Sequence, residues 1–463
     1  MSAVIQSQQR MSATEKKATL GLSLVFAFRM LGMFMVLPVM TIYGPNLEQA
    51  TPALIGLAIG AYGYTQALLQ IPLGIVSDRI GRMPIIFAGL LIFVFGSIVA
   101  ACADSIWGVI IGRILQGMGA ISAAVLALLS DLTREQHRTK AMAFLGMSIG
   151  ASFALAMIMG PVITYYFGLH GLFWFIAMMA ATGLCIMLWL VPRPNLQQTR
   201  RDCSVAKAVF LPTLKDINLL RLDFSIAAVH IVMMANFMML PTILLNEIGL
   251  PKNQHWWVYL LAFIGSALGM VPLIVYGEKQ RQLKKVLLGC VLILLVCSLF
   301  FGLTHKLLWP MLLGIMVFFI AFNTIEAILP SMISKVAKAG AKGTAMGIFS
   351  TSQFLGAAIG ASFGGILINF GGLSTVFIGT ALVCVIWLMV IVNMKEPPYV
   401  TSLKLPIEMG TLQANNVANY LMKQQGITEA LLVSEESALY VKFDKQQIKA
   451  EDIAQLVKEA DHF

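Results

Sequence analysis

Long apolar runs alternate with short polar connections along most of this chain. The runs fall near 18–43, 53–77, 84–103, 106–131, 139–167 and 170–191, and again near 218–246, 254–276, 285–303, 308–333, 343–369 and 373–393. A helix of about 20 residues, rising about 1.5 Å per residue, crosses the hydrocarbon core of a bilayer, about 30 Å thick. Backbone N–H and C=O groups in that layer find no water and must bond one another, so each run predicts a membrane-spanning helix. The expected fold is therefore an all-α membrane protein of twelve transmembrane helices.

An internal repeat divides the helices into two sets of six. Leu37-Pro38 recurs as Leu240-Pro241, Pro72-Leu73 as Pro272-Leu273, Ala141-Met142 as Ala345-Met346 and Gly160 as Gly364, at nearly constant offsets of 200 to 204 residues. Asp78-Arg79 recurs as Glu278-Lys279, while Gly74 and Gly81 give way to Ile274 and Arg281, so the second copy of that turn is degenerate. The predicted organisation is an N-terminal half over 1–191, a polar and basic linker over 192–217, and a C-terminal half over 218–395. Past Lys395-Glu396-Pro397-Pro398 the apolar runs stop. Strands are expected at Leu403–Glu408, Ala430–Val433 and Ala438–Phe443, and helices at Gln413–Gln424 and Lys449–Ala460. That order predicts a small α/β ferredoxin-like domain over 400–463.

Composition agrees with the pattern: 58% of residues are hydrophobic, 12% are charged and mean hydropathy is +0.83, which excludes a soluble globule. The net charge of +10 points to topology and not to nucleic acid, because the basic residues cluster in alternate connections. Arg134 to Lys140, Arg193 to Arg221, Lys279 to Lys285 and Lys335 to Lys342 are basic, whereas the connections between them carry only Lys252 and Lys306. By the positive-inside rule both termini and the central linker are cytoplasmic. The tail domain has six Lys against nine acids, leaving +13 on the membrane part. Met1 to Lys17 is polar and the first apolar run is too long for a signal-peptide core, so it is expected to remain as a helix. The six cysteines are scattered without disulfide or metal spacing and read as small hydrophobes.

The chemistry sits in a few charged places. The turn Pro72-Leu-Gly74-Ile-Val-Ser-Asp78-Arg79-Ile-Gly81-Arg82 lies between two apolar runs. It resembles the loop between the second and third helices of the major facilitator superfamily: Gly74, Asp78, Arg79, Gly81 and Arg82 match its pattern, while Val76 and Met83 depart from it. Arg113-Ile-Leu-Gln116-Gly-Met-Gly119 resembles that superfamily's fourth-helix motif, and Asp131, Glu135 and Arg138 match its Asp-x-x-x-Glu-x-x-Arg pattern. The resemblance implies secondary active transport by alternating access in a bacterial inner membrane, with a small-molecule substrate and protons as the energy source. It also implies that Asp78 caps the eleventh helix near Gly343-Thr344 when the cytoplasmic side is closed. In the fifth helix Gly160-Pro161 is present, but Met147 and Ala156 stand where that family's antiporter motif has glycine, so antiport and efflux follow from general resemblance alone.

Arg29, Arg113, Gln116, His230, Asn236, Asn323 and Glu326 are polar groups inside apolar runs, where ionisable residues face a cavity or a partner. The resemblance places helices 1, 4, 7 and 10 around a central cavity, which makes these residues candidates for proton coupling or substrate contact; each also reads as a satisfied structural group. The tail looks like heavy-metal-associated domains down to Tyr440-Val-Lys-Phe-Asp444, yet it has no cysteine, so no metal role is expected and its ligand or partner stays open. Gly146-Met-Ser148-Ile-Gly150 spells a hydrolase nucleophile elbow without the strand that motif needs, and no phosphate-binding loop is present. Neither an enzyme nor a cofactor is expected. A membrane sensor signalling through residues 400–463 is the alternative from another class. The topology has a direct check: cysteines at positions 252 and 306 should label from outside sealed cells, and labelling from outside at position 200 or 279 would overturn it.

Overall fold

Apolar side chains and a waterless surround leave the backbone one solution, and the computed structural model is a bundle of long helices. It describes residues 11–193, 210–338, 341–406, 417–433, 438–444, 447–448, 452–453 and 455–457. Among the described residues, 10 continuous helical runs are long and apolar enough to cross a membrane. They are α1 (Ala13–Asn46), α2 (Pro52–Ile80), α3 (Arg82–Ala101), α4 (Ile106–Asp131), a run Glu135–Trp189, α7 (Ile217–Glu247), α8 (His255–Lys279), α9 (Leu283–Thr304), α10 (Leu308–Val336) and a run Lys342–Val392.

The count of ten differs from the twelve expected because two runs contain a kink and no intervening loop. Glu135–Trp189 has 55 residues and Lys342–Val392 has 51. Either would be more than 70 Å long if straight, over twice the core of about 30 Å. The first breaks at Gly168 (φ 69°) and the second at Gly371-Gly372, where Gly372 has φ 71°, a backbone state that side chains with a Cβ avoid. We label their arms α5 (135–167) and α6 (169–189), and α11 (342–370) and α12 (373–392).

The repeat seen in the sequence is repeated in the packing. On α5, a Cβ at Gly160 would stand 2.7 Å from the Met35 carbonyl of α1; on α11, a Cβ at the equivalent Gly364 would stand 3.0 Å from Ala235 Cα of α7. The halves join where α2 crosses α11: a Cβ at Gly56 would come within 2.5 Å of the Ala361 carbonyl, and one at Gly60 within 2.7 Å of the Ala358 carbonyl. Backbones so close leave no room for any other residue. This seam lies at the end of the bundle remote from Asp78. Toward the Asp78 end of α11, Gly343 and Gly347 meet nothing within 4 Å. Phe153 of α5 adds an aromatic knot across the halves, with ring centroids 4.8 Å from Phe34 of α1 and 5.3 Å from Phe263 of α8.

After α12 the chain forms an antiparallel sheet, β1 (Thr401–Pro406), β2 (Ile427–Val433) and β3 (Ala438–Phe443), in the order β1-β3-β2. Leu439, Val441 and Phe443 bury one face against Val417, Leu421 and Ile453. The first expected tail helix is helical over 417–421 and the second over 452–453 and 455–457, the rest of each lying outside the described residues.

The sheet is tied to the transmembrane part by charge. Arg281, in the turn between α8 and α9, donates two parallel bonds to Asp444 at 2.7 and 2.8 Å, and Asp444 raises the Arg281 pKa. Arg281 holds φ 53°, an unfavourable backbone for a residue with a Cβ, which the bidentate pair offsets. Lys442 of β3 is buried and donates to the Ala337 carbonyl and, at 3.4 Å, to the Lys335 carbonyl, so a cation closes the C-terminal end of α10. Burial lowers its pKa, opposed by Glu429 at 3.5 Å. Tyr399 lies between Arg281 and Lys335, 5.5 and 4.5 Å from its ring centroid, and accepts the Leu283 N–H at 2.9 Å.

Reversing one charge of the main pair should release the tail domain. Arg281→Glu or Asp444→Arg is expected to speed limited proteolysis after Lys395, and the double reversal to restore the parent rate; an unchanged rate in the single variants would mean the pair does not hold the domain.

Candidate transport cavity

The turn after α2 is made by Gly81, whose φ of 103° suits glycine, and Ser77 accepts the Gly81 N–H at 3.0 Å. Arg82 then starts α3 with its side chain only 7% exposed. Its Nη1 reaches Asp78 at 2.8 Å and its Nε reaches Asp131 at 2.5 Å, so one guanidinium bridges the ends of α2, α3 and α4. Of the other residues expected in this network, Arg79 is exposed, Arg138 donates to the Ser130 carbonyl at 3.3 Å, and the side chain of Glu135 lies outside those described. Gly74 faces Ala123 of α4, 3.5 Å from where its Cβ would be. A pair that the sequence reading missed stands beside it. Glu15, at the start of α1, takes three bonds of 2.9 Å from the backbone and guanidinium of Arg134, and Ser12 and Glu15 form a capping box.

Deeper in the N-terminal half, two arginines are 1% exposed. A bare charge there would cost several kcal/mol, and each is caged by neutral acceptors. Arg113 donates to Gln116 at 2.8 Å and to the Ala58 and Ile59 carbonyls of α2 at 3.4 Å, and Gln116 passes the chain on to Ser97 of α3 at 2.8 Å. Arg29 donates to Gln66 and, at 3.2 Å, to Ser122. Gln66 in turn donates to Gln70 and Ser122. The Tyr62 ring lies between the two guanidinia, 5.5 Å from Arg29 and 5.0 Å from Arg113.

A cavity of about 190 Å³ separates the halves. Its walls are mostly apolar, with Met30, Phe34, Met233 and Phe354 among them. Arg113 and Tyr62 reach it from the N-terminal half, His230 of α7 and Glu326 of α10 from the other. Gln353 of α11 joins this second pair: its Nε2 donates to Glu326 Oε1 at 2.6 Å and to His230 Nε2 at 3.2 Å. His230 Nδ1 lies 3.0 Å from the Ile226 carbonyl and must carry the hydrogen, since that oxygen can only accept. Nε2 is then a lone pair, 3.9 Å from Glu326 Oε2, a buried oxygen with no other partner among the described residues.

Of the seven intramembrane candidates, the structure brings Arg113, His230 and Glu326 to this cavity. The other four stand elsewhere. Arg29 and Gln116 belong to the N-terminal cage, Asn236 donates to Val232 one turn below it at 2.8 Å, and Asn323 donates to Ser266 of α8 at 2.9 Å. Gln353, Gln66 and Ser122 were not singled out in the sequence. A neutral amide or hydroxyl in an apolar run carries a weak signal beside an ionisable residue, and polarity within a span is the only one they offer.

A sequence profile of the Major Facilitator Superfamily matches residues 22–217 and 222–434. The chain belongs to that superfamily and is a membrane transporter, not an enzyme. It is 48% identical over 451 residues, 97% of this chain and 99% of the relative, to the inner membrane transport protein YajR of Escherichia coli (strain K12). It is 25% identical over 344 residues, 74% of this chain and 84% of the relative, to the multidrug resistance protein MdtH of Proteus mirabilis (strain HI4320). Among solved structures, a bacterial homologue of the human lysosomal transporter Spinster, in an inward-facing and occupied conformation, superposes with a TM-score of 0.66 at 14% identity, covering 84% of this chain and 98% of that one. These comparisons give no support to a sensor.

The Arg82 bridge should be measurable as stability. Losing charge-assisted bonds at a mostly buried site costs on the order of 1.5–3 kcal/mol each. Arg82→Ala is therefore expected to lower the melting temperature of the purified protein more than Arg79→Ala, and equal melting of the two would show that the bridge contributes nothing.

Proposed function

We propose that this chain is a proton-coupled transporter that moves a small, largely apolar solute by alternating access, with twelve crossings, both termini cytoplasmic and a ferredoxin-like tail. The observation that carries the reading is the His230–Glu326 pair. It places the imidazole Nε2 and a carboxylate oxygen 3.9 Å apart in the cavity. One proton on Nε2 turns two facing acceptors into an ion pair, which is what a site loaded and unloaded in each cycle requires. Arg113 across the cavity is held by carbonyl oxygens and stays charged, so its field favours release of that proton.

The packing supports a cytoplasm-open state. The α2–α11 seam is closed at the end away from Asp78, and the Asp78 end of α11 is open around Gly343 and Gly347. In the opposite state Asp78 would meet the N-terminus of α11, an anion at a helix dipole worth about 0.3–2 kcal/mol, enough to bias a two-state equilibrium severalfold. Efflux in exchange for protons is the direction favoured by the similarity to a multidrug resistance protein.

In proteoliposomes loaded with a pH-sensitive dye, solutes from an amphipathic panel that move protons through the parent protein should fail to do so through Glu326→Gln. Proton movement at the parent rate in that variant would remove the pair from the mechanism.

A further inference from the structure

The amide of Gln353 touches both members of the pair from a third helix, and α11 is the helix whose far end packs on α2. Its orientation is fixed by chemistry: Glu326 Oε1, at 2.6 Å, can only accept, so the NH2 group and not the carbonyl must face it. The same NH2 lies 3.2 Å from His230 Nε2. Because Nδ1 is committed to the Ile226 carbonyl, the neutral ring has one lone pair left, and Gln353 uses it.

We infer that Gln353 is a positioning residue that ties the protonation of His230 and Glu326 to the placement of α11. The inference rests on the proton-site reading given above. When a hydronium ion in the cavity gives its proton to the Nε2 lone pair, its O–H bond breaks as the N–H bond forms, water is left behind, and the ring gains a positive charge. Nε2–H is now a donor, so it repels the Gln353 amide hydrogens and turns to Glu326 Oε2, the unpartnered oxygen 3.9 Å away. Gln353 loses its bond to α7 and keeps at most the one to α10. Of the two polar ties that Gln353 of α11 makes to the pair, one is lost at the moment the pair loads.

The titratable groups lining this cavity, among the described residues, are His230 on α7, Glu326 on α10, and Arg113 and Tyr62 across it on α4 and α2. Imidazole is the side chain whose ordinary titration range lies nearest neutrality. Asp223, two turns before His230 on α7, is a further buried carboxylate with one oxygen unpartnered among the described residues, and Asp223→Asn is the control that separates it from the pair. The Phe322 ring, 5.7 Å from the imidazole, closes its other side without offering a proton acceptor.

The test reads conformation, so it needs no known solute. In the full-length protein, with native exposed cysteines replaced, Gly347→Cys stands on α11 where nothing lies within 4 Å. Its reaction rate with a membrane-impermeant maleimide, divided at each pH by that of free glutathione to cancel thiol ionisation, should change severalfold between about pH 5.5 and 8.5. Gln353→Ala is expected to flatten the dependence to within about twofold, and Gln353→Met, of similar volume and without a donor, to do the same if the alanine variant does not fold. A purely structural role would shift the rate by one factor at every pH and leave the dependence intact, and that result overturns the inference. If His230→Asn and Glu326→Gln also keep the parent dependence, it is the proton-site reading that fails. If those two flatten the curve while the Gln353 variants do not, only the role of Gln353 is lost.

Discussion

A charge inside a bilayer has no water to fall back on, and the polar architecture of this protein answers to that one constraint. Arg29 and Arg113 are surrounded by amide, hydroxyl and carbonyl oxygens drawn from α2, α3 and α4, with the Tyr62 ring between them. Apart from the Arg113–Gln116 bond within α4, these bonds cross from one helix to another, so solvating the arginines also fastens the N-terminal half together. The C-terminal half has no such cage. Its titratable groups in the cavity are His230 and Glu326, and one carboxylate oxygen is left without a partner among the described residues. Partners are missing in both halves among the described residues, at Arg29 Nε and the Tyr62 hydroxyl as at Glu326 Oε2. The asymmetry between the halves is one of chemistry, guanidinium against an imidazole–carboxylate pair able to change its bonds with a proton, laid over a backbone that is nearly repeated.

Movement between the halves needs contacts that break cleanly. At the end away from Asp78, α2 and α11 meet through glycine and alanine, where packing is close but no ion pair has to be parted. At the other end the charges of Asp78, Asp131 and Arg82 are gathered within the N-terminal half, which leaves them as a preformed surface at the mouth. Packed seams of this kind have two arrangements and little between them, the condition for rocking about a central site.

The tail domain engages the C-terminal half alone among the described contacts: Asp444 on the α8–α9 turn and Lys442 on the end of α10. A cation placed on the last carbonyls of a helix satisfies groups that the helix itself cannot. The attachment therefore completes α10 as well as fixing the tail. Burial pushes the Tyr399 hydroxyl up to about 12, so it remains a donor to Glu396, 3.1 Å away, at physiological pH.

The spans, the two halves and the charged turn were legible in the sequence because each is a property of neighbouring residues. Twenty apolar residues in a row form a helix in lipid whatever surrounds them, and Asp78, Gly81 and Arg82 share one turn. Even the kinks at Gly168 and Gly371-Gly372 fall in the gaps between predicted spans, though no local pattern signals that helix runs up to them without a loop. What the chain order could not contain was the rotation of each helix about its axis. Arg29 and Arg113 looked alike as isolated cations, and only packing sent the first to Gln66 and the second to the cavity wall. Asn323 and Glu326 are three residues apart on one helix, yet one faces α8 and the other the cavity. Gln353 was one amide in an apolar run until tertiary contact set it between a histidine 123 residues away and a glutamate 27 residues away. Local hydrophobicity decides that a segment enters the membrane, whereas the partner of a buried polar group depends on which faces the glycine seams bring together.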